Sequence, residues 1–204
     1  MAESNPTEST QLASKICNQI SSVFSTTTTT TKPPALNILV QEITAASNRN
    51  GRVFLYGVGR EGLMLKALCM RLFHLGLSAH CVFDMTTPPI GPTDLLIASA
   101  GPGGFSTVDA ISKVAKSNGA RVVLLTAQPD KGSSVEYASV VAYIPAKTMA
   151  DDDDNGDKEE REVLPMGSLY EGAMFVLFEM VVYKLGQVLK QSPETVRARH
   201  TNLE

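Results

Sequence analysis

Several features that would mark a specialised chain are missing from these 204 residues. No stretch reaches the roughly 18 consecutive apolar residues of a membrane-spanning helix, since even the apolar run from Ala173 to Tyr183 is broken by Glu179. That excludes a helical membrane span. Cysteine is scarce: Cys17, Cys69 and Cys81 are odd in number and contain no CxxC pair. They read as thiols of a reducing compartment, two of them buried in apolar segments, and exclude both a disulfide framework and the clustered ligands of a tetrahedral metal site. No arginine precedes Arg49, and Glu3 and Glu8 stand near the start. This fits neither a secretory signal nor an Arg-rich, acid-poor transit peptide, so a cytoplasmic address is expected.

A strongly basic stripe is also absent. Net charge is −3, with eight acids against Lys158 and Arg161 in the segment 151–162, so that the rest of the chain carries +3. A mildly basic body suits an anionic small ligand and falls short of what nucleic-acid binding demands. The acidic run reads as a solvated loop, 148–163, and not as a partner-binding tail.

What is present is an ordinary globular composition, 43% hydrophobic and 19% charged, in a length suited to one well-buried core. Leu12, Ile16, Ile20 and Val23 recur at steps of three and four, predicting a helix over 10–24. The threonine run 26–31 and Lys32-Pro33-Pro34 form a linker. The expected organisation is thus an N-terminal helix and linker over 1–34, then one domain over 35–204.

Within that domain a helix over 35–47 precedes strand 52–56. Helix 61–75, strand 79–83, strand 94–98, helix 105–118, strand 120–126, a short helix near 133–137, strand 140–144 and a long helix from about 168 to 190 follow. Strands rich in Val, Ile and Leu alternating with amphipathic helices predict an α/β three-layer sandwich: a parallel sheet of about five strands with helices on both faces. Ligands of such folds sit at the carboxyl ends of the strands.

Two strand-to-helix junctions are glycine-rich, Tyr56-Gly57-Val58-Gly59-Arg60-Glu61-Gly62 and the run from Ser99 to Thr107. Glycine lets backbone N–H groups approach an anion, and the following helix adds its positive end, so either loop is a candidate phosphate cradle. The spacing of Gly57, Gly59 and Gly62 also matches a dinucleotide fingerprint, but no acid other than Asp84 stands where a ribose-binding carboxylate would.

Taken in order, Val53 to Arg60, Met70 to Gly76, Thr86 to Gly91, Asp94 to Ile97, Leu164 to Glu171 and Arg199 to Glu204 resemble the sugar isomerase (SIS) domains of the 6-phospho-3-hexuloisomerase type. The resemblance spans nearly the whole chain. It implies the SIS fold, reversible conversion of a 3-hexulose 6-phosphate to fructose 6-phosphate through an enediol, no metal or organic cofactor, and a homotetramer. It assigns Glu171 as general base and His200 as a helper in ring opening or proton transfer across a subunit boundary. Gly57, Gly59, Arg60, Ser99, Gly101, Gly103, Gly104, Ser106 and Thr107 are the groups left to bind the phosphorylated sugar.

Ordinary readings stand beside these. Ser168-Leu169-Tyr170-Glu171 fits a capping box, in which Glu171 only satisfies a helix end. His200 falls in a polar tail that a monomer leaves mobile, and His74 and His80 read as structural. The family pattern has hydroxyls where this chain has Glu61, Ala100, Pro102 and Phe105. Glu61 either faces the pocket, where it repels a phosphate, or points away as an early helical residue favoured by the dipole. Two functions follow: an isomerase with an altered anchor, or a non-catalytic SIS module that senses a sugar derivative.

Overall fold

The computed structural model describes residues 6–25, 33–151 and 163–203. The threonine run and most of the acidic segment lie outside them. β1 (Val53–Tyr56), β2 (Ala79–Cys81), β3 (Leu95–Ser99), β4 (Arg121–Thr126) and β5 (Val140–Tyr143) form one sheet in the order β2-β1-β3-β4-β5. All pairs are parallel, with Val53 opposite both Ala79 and Leu95, and Ser99 opposite Leu125. The central strands are buried on both faces, which is why they read as unbroken runs of Val, Leu and Ile.

Helices α2 (Ala35–Asn48), α3 (Gly59–His74) and α5 (Ser168–Val188) cover one face; α4 (Ser106–Ser117) and a 3-10 turn at Ser133–Tyr137 cover the other. α1 (Pro6–Ser25) lies outside this layer on α5, where Gly172 admits Ile20 so closely that an added Cβ would stand 2.9 Å from its Cδ1. The start of the sheet is locked by buried Asp94, which accepts from the Arg52 and Gly91 N–H groups, both at 2.8 Å, and from the Arg52 guanidinium. Burial alone would raise the Asp94 carboxyl; Arg52 and these N–H groups hold it below its ordinary value.

Two elements differ from expectation. β2 stops at Cys81 because Phe83 takes a left-handed φ of 75° that ends the extended run. The C-terminal tail is held, not loose. α6 (Pro193–Ala198) starts on Ser192, whose hydroxyl accepts from Thr195 N–H at 3.2 Å, and Arg199 donates to His74 O and Gln191 Oε1, both at 2.8 Å.

The strand order fixes where a ligand belongs. From β1 the chain moves outward to β2 and then returns past β1 to β3, so their carboxyl ends flank the point where winding reverses. Both glycine-rich turns meet there.

Candidate active site

Glu61 decides the interior of this crevice. Gly59, at φ 56°, swings the chain from β1 into α3, and Gly57 and Gly62 let strand end and helix start approach: a Cβ on Gly62 would lie 3.0 Å from the Gly57 carbonyl carbon. This packing turns Glu61 inward, leaving it 6% exposed. Ser99 Oγ donates to Glu61 Oε2 at 2.5 Å, and Gly101 N–H donates to the same carboxylate at 3.0 Å. Tyr170 OH lies 3.3 Å from Ser99 Oγ. With the Ser99 proton directed to Glu61 Oε2, Tyr170 is the donor of that pair. Burial raises the Glu61 carboxyl, against the lowering effect of Ser99 and Gly101. Burial, then the nearby Glu61 charge, pushes the Tyr170 phenol well above its usual range. The alternative in which Glu61 points away is therefore corrected.

The turn after β3 differs from the expected cradle. Ala100 N–H donates to Leu125 O at 3.0 Å, Gly101 N–H to Glu61, and Gly103 N–H to Ala100 O at 2.8 Å; Pro102 has none. Each donor of 100–103 is thus committed inside the chain, and Ser99, Gly101 and Gly103 are buried. The glycines have another use. Gly103, at φ 100°, and Gly104 lie against Gly132 and Ser133, and Ser134 N–H donates to Gly103 O at 3.2 Å. The Gly101 and Gly103 N–H groups and the Ser99 hydroxyl, expected to face a sugar, are engaged inside the chain in this structure. Ser106 and Thr107 are exposed in the first turn of α4; Gly57 is half-buried and Gly59 exposed at the mouth.

Glu171 and Arg60 form the other wall. α5 is capped by the backbone of Gly167, at φ 79°, with no side-chain cap. Ser168 is its first residue, so Glu171 sits one place beyond the capping-box position and its carboxylate faces Arg60, with Oε2 3.1 Å from Nη2. The capping reading fails on that geometry. Arg60 also donates from Nη1 to Ser168 Oγ at 2.8 Å and from Nη2 to the Met166 carbonyl. The Arg60 side chain is 50% exposed and that of Glu171 17%. Burial raises the Glu171 carboxyl, Arg60 lowers it and the Glu61 charge raises it again. Tyr170, Ser168 and the Met166 carbonyl were missed in the sequence, although Tyr170 stands next to the candidate base.

His200 is not brought to this crevice within one chain. It lies beyond the far end of α5, its ring 5.4 Å from that of His74 at the C-terminus of α3, whereas Glu61 and Glu171 sit at the N-termini of α3 and α5. At ~1.5 Å of rise per residue the lengths of these helices, 16 and 21 residues, separate the two ends by more than 20 Å. His80, on β2, contacts Ser78 Oγ at 3.1 Å and Phe54. Among the described residues no group of three His, Cys, Asp or Glu side chains could hold a metal ion, and no helix is long and apolar enough to cross a membrane. A separate cleft of about 700 Å³ between α2 and the end of α5, lined by Val40, Thr44, Lys184 and Gln187, carries none of these groups.

No protein-family model matches the chain. Relatives do. The 3-hexulose-6-phosphate isomerase of Mycobacterium gastri is 37% identical over 84% of this chain and 81% of its own length. The Bacillus subtilis protein of the same name is 34% identical over 75% of this chain and 80% of its own. A Methanococcus jannaschii protein, whose crystal structure was read as inferring a 3-hexulose-6-phosphate isomerase function, superposes with a TM-score of 0.75 at 25% identity, covering 95% of this chain and 99% of its own. The sugar isomerase domain of an RpiR transcription factor from Sphaerobacter thermophilus shares the fold, with a TM-score of 0.63 at 15% identity over 93% of this chain and 94% of that one. With its parallel five-stranded sheet and these relatives, the chain has the SIS fold and belongs to the 3-hexulose-6-phosphate isomerase family.

Proposed function

We propose that this chain interconverts a 3-hexulose 6-phosphate and fructose 6-phosphate, with Glu171 as the proton-transfer base. The names of the relatives support the reaction, and one observation supports the residue. The Glu171 carboxylate stands at the switch-point crevice beside Arg60, unspent on helix capping.

Moving the carbonyl from C3 to C2 needs a proton taken from C2, with the bonding pair forming C2=C3 while the C3 oxygen gains a proton. The resulting enediol then loses the O2 proton, forms C2=O and is reprotonated at C3. Ionised Glu171 takes the first proton and returns it. Burial makes it a stronger base than an exposed carboxylate. A sensor role for Glu171 as a mere cap is not favoured, because the backbone of Gly167 does the capping.

The test is proton NMR of fructose 6-phosphate in deuterated water. The protein is expected to incorporate deuterium, and Glu171→Gln to lose about 10²–10⁴-fold in exchange rate while keeping its melting temperature. Exchange retained by the variant would remove Glu171 from the mechanism.

The same reading includes a cytoplasmic homotetramer. Its support is the exposure of Leu12 on α1, Met70 and Phe73 on α3, and Phe175 and Tyr183 on α5, together with the distance that leaves His200 able to reach a crevice only in another chain.

A further inference from the structure

Two of the three thiols meet, and they do so outside the crevice. Cys69 lies in the second half of α3, buried with Leu65 and Leu72, and Cys81 ends β2, the outermost strand on that side, paired through Leu55 to β1. α3 packs directly on β2, both cysteines belong to one hydrophobic cluster, and the Cys69 thiol donates a hydrogen bond to the Cys81 sulfur. Cys17 stands apart, exposed on α1. Either core cysteine alone would be an ordinary buried side chain; in contact they gain a chemistry that neither has alone.

The contact is asymmetric. The hydrogen bond from Cys69 lowers the Cys81 thiol against burial and the Asp84 charge, with Lys66 assisting, while the same bond and then burial raise the Cys69 thiol. Cys81 is thus the better nucleophile, and Cys69 is held against it. Each is 8% exposed, which admits a small oxidant at the sheet edge and excludes a bulky one.

We infer that Cys69 and Cys81 form a redox-active dithiol, a modification site for hydrogen peroxide, where Cys81 is the attacking sulfur and the pair closes reversibly into a disulfide joining α3 to the edge strand. The Cys81 sulfur attacks one peroxide oxygen and the O–O bond breaks; the other oxygen leaves as water with the thiol proton, and Cys81 becomes a sulfenic acid. The Cys69 sulfur then attacks that sulfur, the S–O bond breaks, and a second water leaves with the Cys69 proton. Two electrons have passed from the thiols to the peroxide. The link fastens the helix that carries Arg60 to the strand whose next corner presents Phe83 edge-on to Tyr56, at the end of β1. The isomerase reading plays no part in it.

The test is peptide mapping of the full chain after hydrogen peroxide, with free thiols alkylated in denaturant. Cleavage after Lys15, Arg49, Lys66, Arg71 and Lys113 puts the cysteines on separate peptides, 16–49, 67–71 and 72–113. Peptide 67–71 is expected joined to 72–113 with the loss of two hydrogens, about 2 Da, and freed again by dithiothreitol. Cys69→Ser keeps a hydroxyl to donate to Cys81 but removes the resolving thiol, so its Cys81 sulfenic acid is expected to be captured by dimedone. If that variant fails to fold, the native map decides alone. The inference is overturned if both core thiols stay free at a dose that oxidises Cys17, if either links to Cys17, or if either passes to sulfinic acid without a link. A folded Cys69→Ser chain that yields no capture at Cys81 overturns it as well.

Discussion

Gly132→Ala tests whether the glycine-rich turn is built for packing. Gly132 has φ −80° and ψ 141°, a backbone open to any residue, so its conformation gives no reason for glycine. Its neighbours do. A Cβ there would lie 2.6 Å from both the Gly103 Cα and carbonyl carbon, and these are backbone atoms that cannot rotate aside. Relief requires the 128–134 segment to lift off the turn, stretching the Ser134 N–H to Gly103 O bond of 3.2 Å and the hydroxyl bonds of Ser133 and Ser134 to Asp109. Overpacking against backbone is expected to cost about 3 kcal/mol. In a chain of this size that lowers Tm by about 6–12 °C, readable by circular dichroism. Gly59→Ala is the contrasting control. Nothing lies within 4 Å of its Cβ position, so only the positive φ of 56° opposes it, at about 1 kcal/mol and about 2–4 °C. A Gly132→Ala protein melting within about 2 °C of its parent would refute the packing account and reopen the turn as a ligand cradle.

Two further predictions concern charge and assembly. Exchange should fall as pH drops through the raised pKa of Glu171, because the base works only when ionised; Glu61→Gln removes a repelling charge and moves that acidic limb to lower pH, whereas Arg60→Met removes an attracting one and moves it higher. Limbs unmoved by both changes would take Glu171 out of the profile. By gel filtration with light scattering the full chain should run as a tetramer, and glutamate at Met70 and Phe73, beside the Arg71–Glu179 pair linking α3 to α5, should shift it to smaller species. A monomeric native chain would leave His200 with no second crevice to serve.

The sheet was legible because a strand buried on both faces must be apolar throughout, and Val53–Tyr56, Leu95–Ser99 and Arg121–Thr126 are nearly so. α6 was missed for the opposite reason: a six-residue helix with no buried residue has no periodicity to read, although Ser192-Pro193 is a start signal of known form. The capping box failed by phase. α5 begins at Ser168 itself, and a shift of one residue rotates Glu171 by roughly 100° about the helix, from its own N-terminus toward Arg60. Pattern fixes the presence of a helix far better than its first residue.

Glu61 was undecidable in the sequence because its direction depends on how α3 is rolled against the end of β1, a property of the Gly57–Gly62 approach and not of neighbouring letters. Glycines near an anion site are equally ambiguous, since an N–H that could meet a phosphate can as well meet the chain's own carboxylate. Once placed, the two acids divide their roles by their partners. Glu61 is bound by a hydroxyl and an N–H that hold the loop in shape, so moving it would cost the fold its internal bonds. Glu171 faces a half-exposed arginine on a long, flexible stem, which can swing aside without disturbing the core. Burial raises both carboxyls. Of the two, it is the one whose partner can leave that is free to take a proton from carbon.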